Sequence, residues 1–111
     1  MAITIKYSER DDIAWDGLSF DLIFGHPIGD DVDLQLRDLI NSWFLVGLYA
    51  GFGGNIHQIE WQDGGMDRKS LAWIVDMGSA HQRAVEVLVD ILGRFADLND
   101  LPEGELVVGE E

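Results

Sequence analysis

Hydrophobic and polar residues alternate along several short stretches of the chain, the pattern typical of β-strands with one buried face. In the second of these stretches, Phe20, Leu22 and Phe24 fall on one face. The third and fourth flank a turn at Asp63-Gly64-Gly65, which favours a hairpin. The period-two stretches are 3–7, 18–24, 55–61 and 70–77, and a short apolar run at 106–108 predicts a last strand.

Two other stretches repeat hydrophobic residues every three or four positions, as amphipathic helices do. The first begins at Asp30, Asp31 and Asp33, which we expect to cap the helix and to place negative charge at its positive end. The glycines at 51–54 are expected to end it. The second helix is expected to begin at Ser79, because Gln82 follows at capping-box spacing.

The predicted elements follow the order strand, strand, helix, strand, strand, helix, strand. From residue 18 onward this order resembles the ferredoxin-like split βαβ arrangement. We therefore predict an α+β fold: a ferredoxin-like βαββαβ sandwich with an extra N-terminal strand and two helices on one face of an antiparallel sheet. A chain of 111 residues fits one domain, over 1–111. The fold itself carries no function, because it hosts many unrelated ones.

Charge is the most unusual property of the sequence. Twenty-one Asp and Glu stand against seven Lys and Arg, which gives a net charge of −14. Such a surface repels phosphate backbones and anionic lipids, so we expect neither direct nucleic-acid binding nor membrane binding. Basic proteins are the partners that it attracts.

The composition also bears on location and on the chemistry available. Hydrophobic residues make up 47% of the chain, as in folded proteins. There is no cysteine, hence no disulfide and no thiol nucleophile. The first residues lack the uninterrupted apolar run of a signal peptide, so we expect a cytoplasmic protein.

Three motifs suggest a ligand or catalysis, and each has a plainer explanation. The glycines at 51–54 follow a helix, whereas a phosphate-binding loop precedes one. His57 and Glu60 lie three apart in a predicted strand and so face opposite sides, with His57 expected on the face of Ile59 and Trp61. The acids at 30–33 lack the ligand ladder of a calcium loop. We predict no enzyme activity, no cofactor and no metal.

Acidic residues are expected to gather at one end of the sheet, where the loops 25–33, 62–69 and 97–104 meet in a ferredoxin-like order. A second acidic group surrounds Trp15, which is either an exposed interface anchor or a cover for the edge of the sheet. The predicted partner-binding residues are Asp11, Asp12, Trp15, Asp16, Asp30, Asp31, Asp63, Asp67, Asp97, Asp100 and Glu103.

These features indicate a binding module that inhibits or neutralises a basic partner, such as a nuclease or toxin. In this it is similar in kind, though not in motif, to small acidic bacterial immunity proteins. Carboxylates would meet the partner's Lys and Arg, speed association and select the partner. The alternatives are a DNA mimic, which would bind several unrelated proteins, and a regulatory domain that senses a small molecule or metal and forms a homodimer.

Overall fold

A sheet and two helices make up the part of the chain that the computed structural model describes, residues 3–7, 15–62 and 70–110. The strands are β1 (Ile3–Tyr7), β2 (Leu18–Phe24), β3 (Gln58–Gln62), β4 (Ser70–Asp76) and β5 (Gly104–Glu110). The helices are α1 (Asp30–Leu48) and α2 (Arg83–Leu98). Neither of these helices combines the length and the apolarity that crossing a bilayer requires.

The sheet has the strand order β1-β5-β2-β4-β3. Its four-stranded part, β5-β2-β4-β3, is antiparallel throughout. The predicted α+β, ferredoxin-like class is thereby confirmed. One detail is wrong: β1 pairs with β5 in parallel, so the sheet is mixed. Most of the chain lies between β1 and β5, so no tight turn constrains their relative direction and a parallel pair can form.

The core fills the space between one face of the sheet and the two helices. The ring of Phe20 on β2 stacks on Trp73 of β4, with centroids 5.3 Å apart, and meets Trp43 of α1 edge-on at 6.0 Å. The indole N–H of Trp43 donates to the carbonyl of Ala84 in α2 at 2.8 Å, which ties the helices together. The helix residues buried in this core include Leu36, Ile40, Ala84, Leu88 and Leu92, as their spacing predicted.

The ends of α1 differ from the sequence prediction. Its N-cap residue is Gly29, without a side-chain capping bond, so the prediction that the aspartates cap the helix is wrong. Asp30, Asp31 and Asp33 instead occupy its first turn, where their charge still stabilises the helix dipole. The helix ends at Leu48, and the residue with positive φ just after it is Ala50, before the glycines.

The start of α2 was also wrongly predicted. The helix begins at Arg83, and its N-cap residue is Gln82, three residues later than the expected cap Ser79 and without a side-chain capping bond. The hydroxyl of Ser79 accepts a hydrogen bond from the backbone N–H of Asn55 at 3.0 Å instead. Ser79 therefore joins two loops, and the backbone around it is not free to enter the helix.

Candidate functional site

Two of the three predicted acidic loops meet at one end of the sheet, which we call the loop end and define as residues 25–31 and 97–103. The backbone N–H of Gly25 donates to the carbonyl of Glu103 at 2.9 Å and holds two of the loops together. The third loop, at 63–69, lies outside the described residues. Its neighbours Gln62 and Ser70 lie at this end, beside the start of β5.

The structure brings together only part of the predicted partner-binding set. Five exposed acids lie at the loop end: Asp30, Asp31, Asp97, Asp100 and Glu103. Asp16 is exposed as well, but it precedes β2 and so lies at the opposite end of the sheet together with Trp15. Asp11, Asp12, Asp63 and Asp67 lie outside the described residues.

Trp15 covers the sheet and is only partly exposed. Its indole N–H donates to the carbonyl of Ala80 at 3.1 Å, and its own carbonyl accepts from the N–H of Met77 at 2.9 Å. The ring packs against the core. Of the two roles that the sequence left open, the structure therefore shows the covering one, and the most exposed described aromatic is Tyr49, at 79%.

A second acidic surface lies on the face of the sheet that the helices leave uncovered, which we call the open face. Alternation along β2 puts Phe20 and Leu22 under the helices and Asp21 on the other side. The cross-strand register extends this division to the neighbouring strands. The open face consists of Ser19, Asp21, Ile23, Gln58, Glu60, Gln62, Ser70, Ala72, Ile74, Asp76, Glu105, Val107 and Gly109.

Carboxylates are spread across the open face. Asp21 lies on the central strand, flanked in register by Val107 on one side and Ala72 on the other. Glu60 lies opposite Ile74 on the outer strand β3. None of the open-face residues named above is a lysine or an arginine, but the register also sets Lys6 of β1 beside Val107 of this face.

The arginines with described side chains all lie on the helices. Arg37 is paired with Asp33 at 2.9 Å and lies over the Trp61 ring, 4.9 Å from its centroid. Arg94 is paired with Asp90 at 3.5 Å, also one helical turn away. The third is Arg83, at the start of α2. The two helices also carry seven Asp and Glu, so within the described residues carboxylates occur in the helix layer as well as on the open face and at the loop end.

A depression of about 190 Å³ opens at the end of the open face that is farther from the loop end. It forms beside Gly17, where a Cβ would meet nothing within 4 Å. Its lining residues are Asp16, Gly17, Gln58, Glu60, Ile74 and Asp76.

Asp76 is held in place at the rim of this depression. One of its carboxylate oxygens accepts from the N–H of Gly78 at 3.0 Å, and the other lies 3.6 Å from Nδ1 of His57. His57 precedes β3, and its side chain is 60% exposed. The sequence favours a packed or an edge histidine at this position, and the exposed His57, just before the edge strand β3, fits the edge position.

The open face is suited to binding organic cations. Carboxylates accept hydrogen bonds from guanidinium and ammonium groups, and these charge-assisted bonds are the stronger kind. Among the described residues, no three His, Cys, Asp or Glu converge as metal ligands would. Sequence reasoning missed this surface because alternation shows that a strand has two faces, but not which carboxylates share the face that stays uncovered.

Comparison with known proteins gives a fold and no family. No family model matches the chain, and no curated protein matches it. Among solved structures, a de novo designed protein, Ferredog-Diesel, superposes with a TM-score of 0.53 over 95% of both chains, at 17% sequence identity. At that identity the similarity shows the fold alone, and it agrees with the ferredoxin-like class.

Proposed function

We propose that this protein is an acidic binding module that neutralises a basic partner, such as a nuclease or toxin, in the manner of small immunity proteins. The observation that supports the proposal is the excess of carboxylates over cations on the open face and at the loop end. Two of the described arginines are paired with aspartates of their own helix. The open face carries Asp21, Glu60, Asp76 and Glu105 against Lys6 of β1, and the loop end carries five exposed acids.

Such an excess of one sign of charge has a physical use. Charges of both signs interleaved over a surface cancel within a Debye length, whereas a surface of one sign creates a field that reaches an approaching partner. That field raises the association rate and disfavours partners with the same sign of charge. A nuclease presents Lys and Arg to phosphates, so an acidic module that covers these groups also blocks the substrate.

The first experiment is to capture partners from host lysate on the immobilised protein and to measure the association rate of each partner at increasing salt. Between about 0.01 and 1 M salt the Debye length falls from about 30 Å to 3 Å. If electrostatic attraction accelerates the association of the two proteins, the association rate must therefore fall steeply as salt is added. Basic partners with this salt dependence support the proposal. Partners that are not basic, or an association rate that does not respond to salt, contradict it.

The same experiment separates the proposal from its alternatives. An inhibitor of the immunity type has one tight partner, whose enzymatic activity is lost in the complex. A DNA mimic would bind several unrelated DNA-binding proteins, each displaced by added duplex DNA. A regulatory domain would instead be a dimer on sizing and would gain thermal stability from a small molecule or cation.

A further inference from the structure

We infer that the basic partner docks on the open face of the sheet and not on the loop end. This inference rests on the proposed function, because it names the surface that the proposed partner uses. The loop end is where the sequence concentrates its acids, yet the open face combines the three features of a docking surface: an apolar middle, flanking charge and a recess.

The apolar middle of the open face consists of side chains that neither helix covers. Ile23 is 43% exposed, although it lies on the central strand. Ile74 and Val107 are partly exposed on the strands to either side of β2. Protein interfaces commonly have an apolar centre within a polar rim, and burying these side chains would supply part of the affinity.

Carboxylates flank this apolar middle at reachable positions. Asp21 is bordered by Ala72 and Ser19, whose small side chains leave it accessible from above the sheet. Glu60 is exposed beside Ile74. An arginine or lysine can lay its aliphatic stem along an isoleucine while its charged group meets a carboxylate. Ile74 with Glu60, and Ile23 with Asp21 on the same face of β2, can each accommodate one basic side chain in this way.

The recess enlarges a surface that would otherwise be small. Five strands about 4.8 Å apart and roughly six residues long present a rectangle of about 24 by 20 Å. That is about 60% of the roughly 800 Å² that each partner buries in a standard interface. A partner must therefore reach past the strands, and the depression between Gly17 and Glu60 offers an extension lined by carboxylates.

Charge complementarity selects the occupant. A second copy of this chain docked face to face would set two faces of the same sign against each other, because four acids and Lys6 give each face a net charge of −3, and like charges across an interface are costly. An acidic or neutral partner would leave the carboxylates dehydrated without a counter-charge. A protein with exposed arginines or lysines can cover the apolar middle with their aliphatic stems and pair their charged groups with the carboxylates, so it is the occupant that fits this face.

The test compares two substitutions that change the net charge equally. Glu60→Gln acts on the open face and Glu103→Gln on the loop end, and both positions are exposed. The dissociation constant of the captured basic partner is measured for each variant, with a hexa-arginine peptide as a defined second probe. We expect Glu60→Gln to weaken binding about two- to fivefold, the effect of one exposed ion pair. Glu103→Gln should leave it within about twofold, since only the general field changes.

A second pair of variants tests the recess without removing charge. Gly17→Gln fills the depression, and Gly29→Gln places the same side chain at the loop end. A Cβ meets nothing within 4 Å at either glycine, and neither has a positive φ, so both variants should fold. Melting curves check this. We expect about a tenfold loss of partner binding for Gly17→Gln, corresponding to about 1.4 kcal/mol, and no loss for Gly29→Gln.

The outcomes distinguish the two proposals. Equal weakening by Glu60→Gln and Glu103→Gln, or a larger effect of Glu103→Gln, overturns the open-face assignment but leaves the proposed function intact. A homodimer that Gly17→Gln converts to a monomer also overturns the open-face assignment, because the face then binds a second copy. If no basic partner binds, or if binding is independent of salt, the proposed function is contradicted, and the open-face assignment with it.

Discussion

The two faces of β2 contrast sharply, although they alternate residue by residue along one strand. Under the helices, Leu18, Phe20, Leu22 and Phe24 are all at most 2% exposed. On the other face, Ser19 and Asp21 are partly exposed and Ile23 is 43% exposed. Every second residue of the strand therefore contributes to the core, and the residues between contribute to a surface that partners can reach.

This alternation separates stability from recognition within one element. A substitution on the covered face changes how the sheet packs against α1 and α2, whereas one on the open face changes only what the surface offers to solvent or to a partner. Stability and binding can therefore be altered largely independently at adjacent positions of this strand.

The largest expected effect comes from truncating the covered face at Phe20. Its ring lies between Trp73 and Trp43, so Phe20→Ala leaves a cavity at the centre of the core and should lower the free energy of unfolding by about 3–5 kcal/mol. Asp21→Asn, at the next residue, should change it by less than about 0.5 kcal/mol. Urea denaturation of both variants measures the contrast, and similar losses would show that the open face is not a free surface.

A smaller effect is expected where two loops pack backbone against backbone. A Cβ at Gly54 would meet the carbonyl group of Ser79, and neither loop can shift without disturbing the Asn55–Ser79 hydrogen bond. Gly54→Ala should therefore cost about 1–3 kcal/mol. Gly17→Ala, whose added methyl would meet nothing within 4 Å, is the matched control and should be close to neutral. Thermal melting of the pair tests this, and equal melting temperatures would contradict the close approach.

The smallest effect compares two buried tryptophans. The indole N–H of Trp43 donates to Ala84, whereas the N–H of Trp73 has no partner among the described residues. Trp43→Phe removes a hydrogen bond and Trp73→Phe removes an unsatisfied donor, so Trp43→Phe should be the more destabilising by about 1 kcal/mol. Denaturant midpoints decide the order, and a greater loss for Trp73→Phe would indicate that its indole nitrogen has a partner after all.

The sequence contained enough information for the element order and for the buried stripes. The buried stripes follow from local patterns: the alternation in β2 and β4, and the helical spacing of Leu36, Ile40 and Trp43. These residues are buried as their spacing indicates, because the pattern depends only on neighbours along the chain. The start of α2 was missed because Ser79 bonds to Asn55, a residue 24 positions away. A long-range contact of this kind overrides a capping preference worth about 1 kcal/mol.

The acidic site was only half predictable for a related reason. Loop positions follow from the order of the elements, so the acids of the loop end could be grouped from the sequence. Asp21, Glu60 and Asp76 come from three different strands, and what unites them is the cross-strand register. Register is set by the whole sheet and leaves no trace in the spacing of these residues along the chain.

The pairing of β1 with β5 has a consequence for how the molecule is made. Ile5 lies beside Leu106, so the first strand finds its neighbour only in the last one. Because the chain is synthesised from its amino terminus, β1 is made first, but it can pair only after β5 has been made. The β1–β5 pair is therefore the contact of longest sequence separation in the sheet, and its ordering depends on β5 being in place.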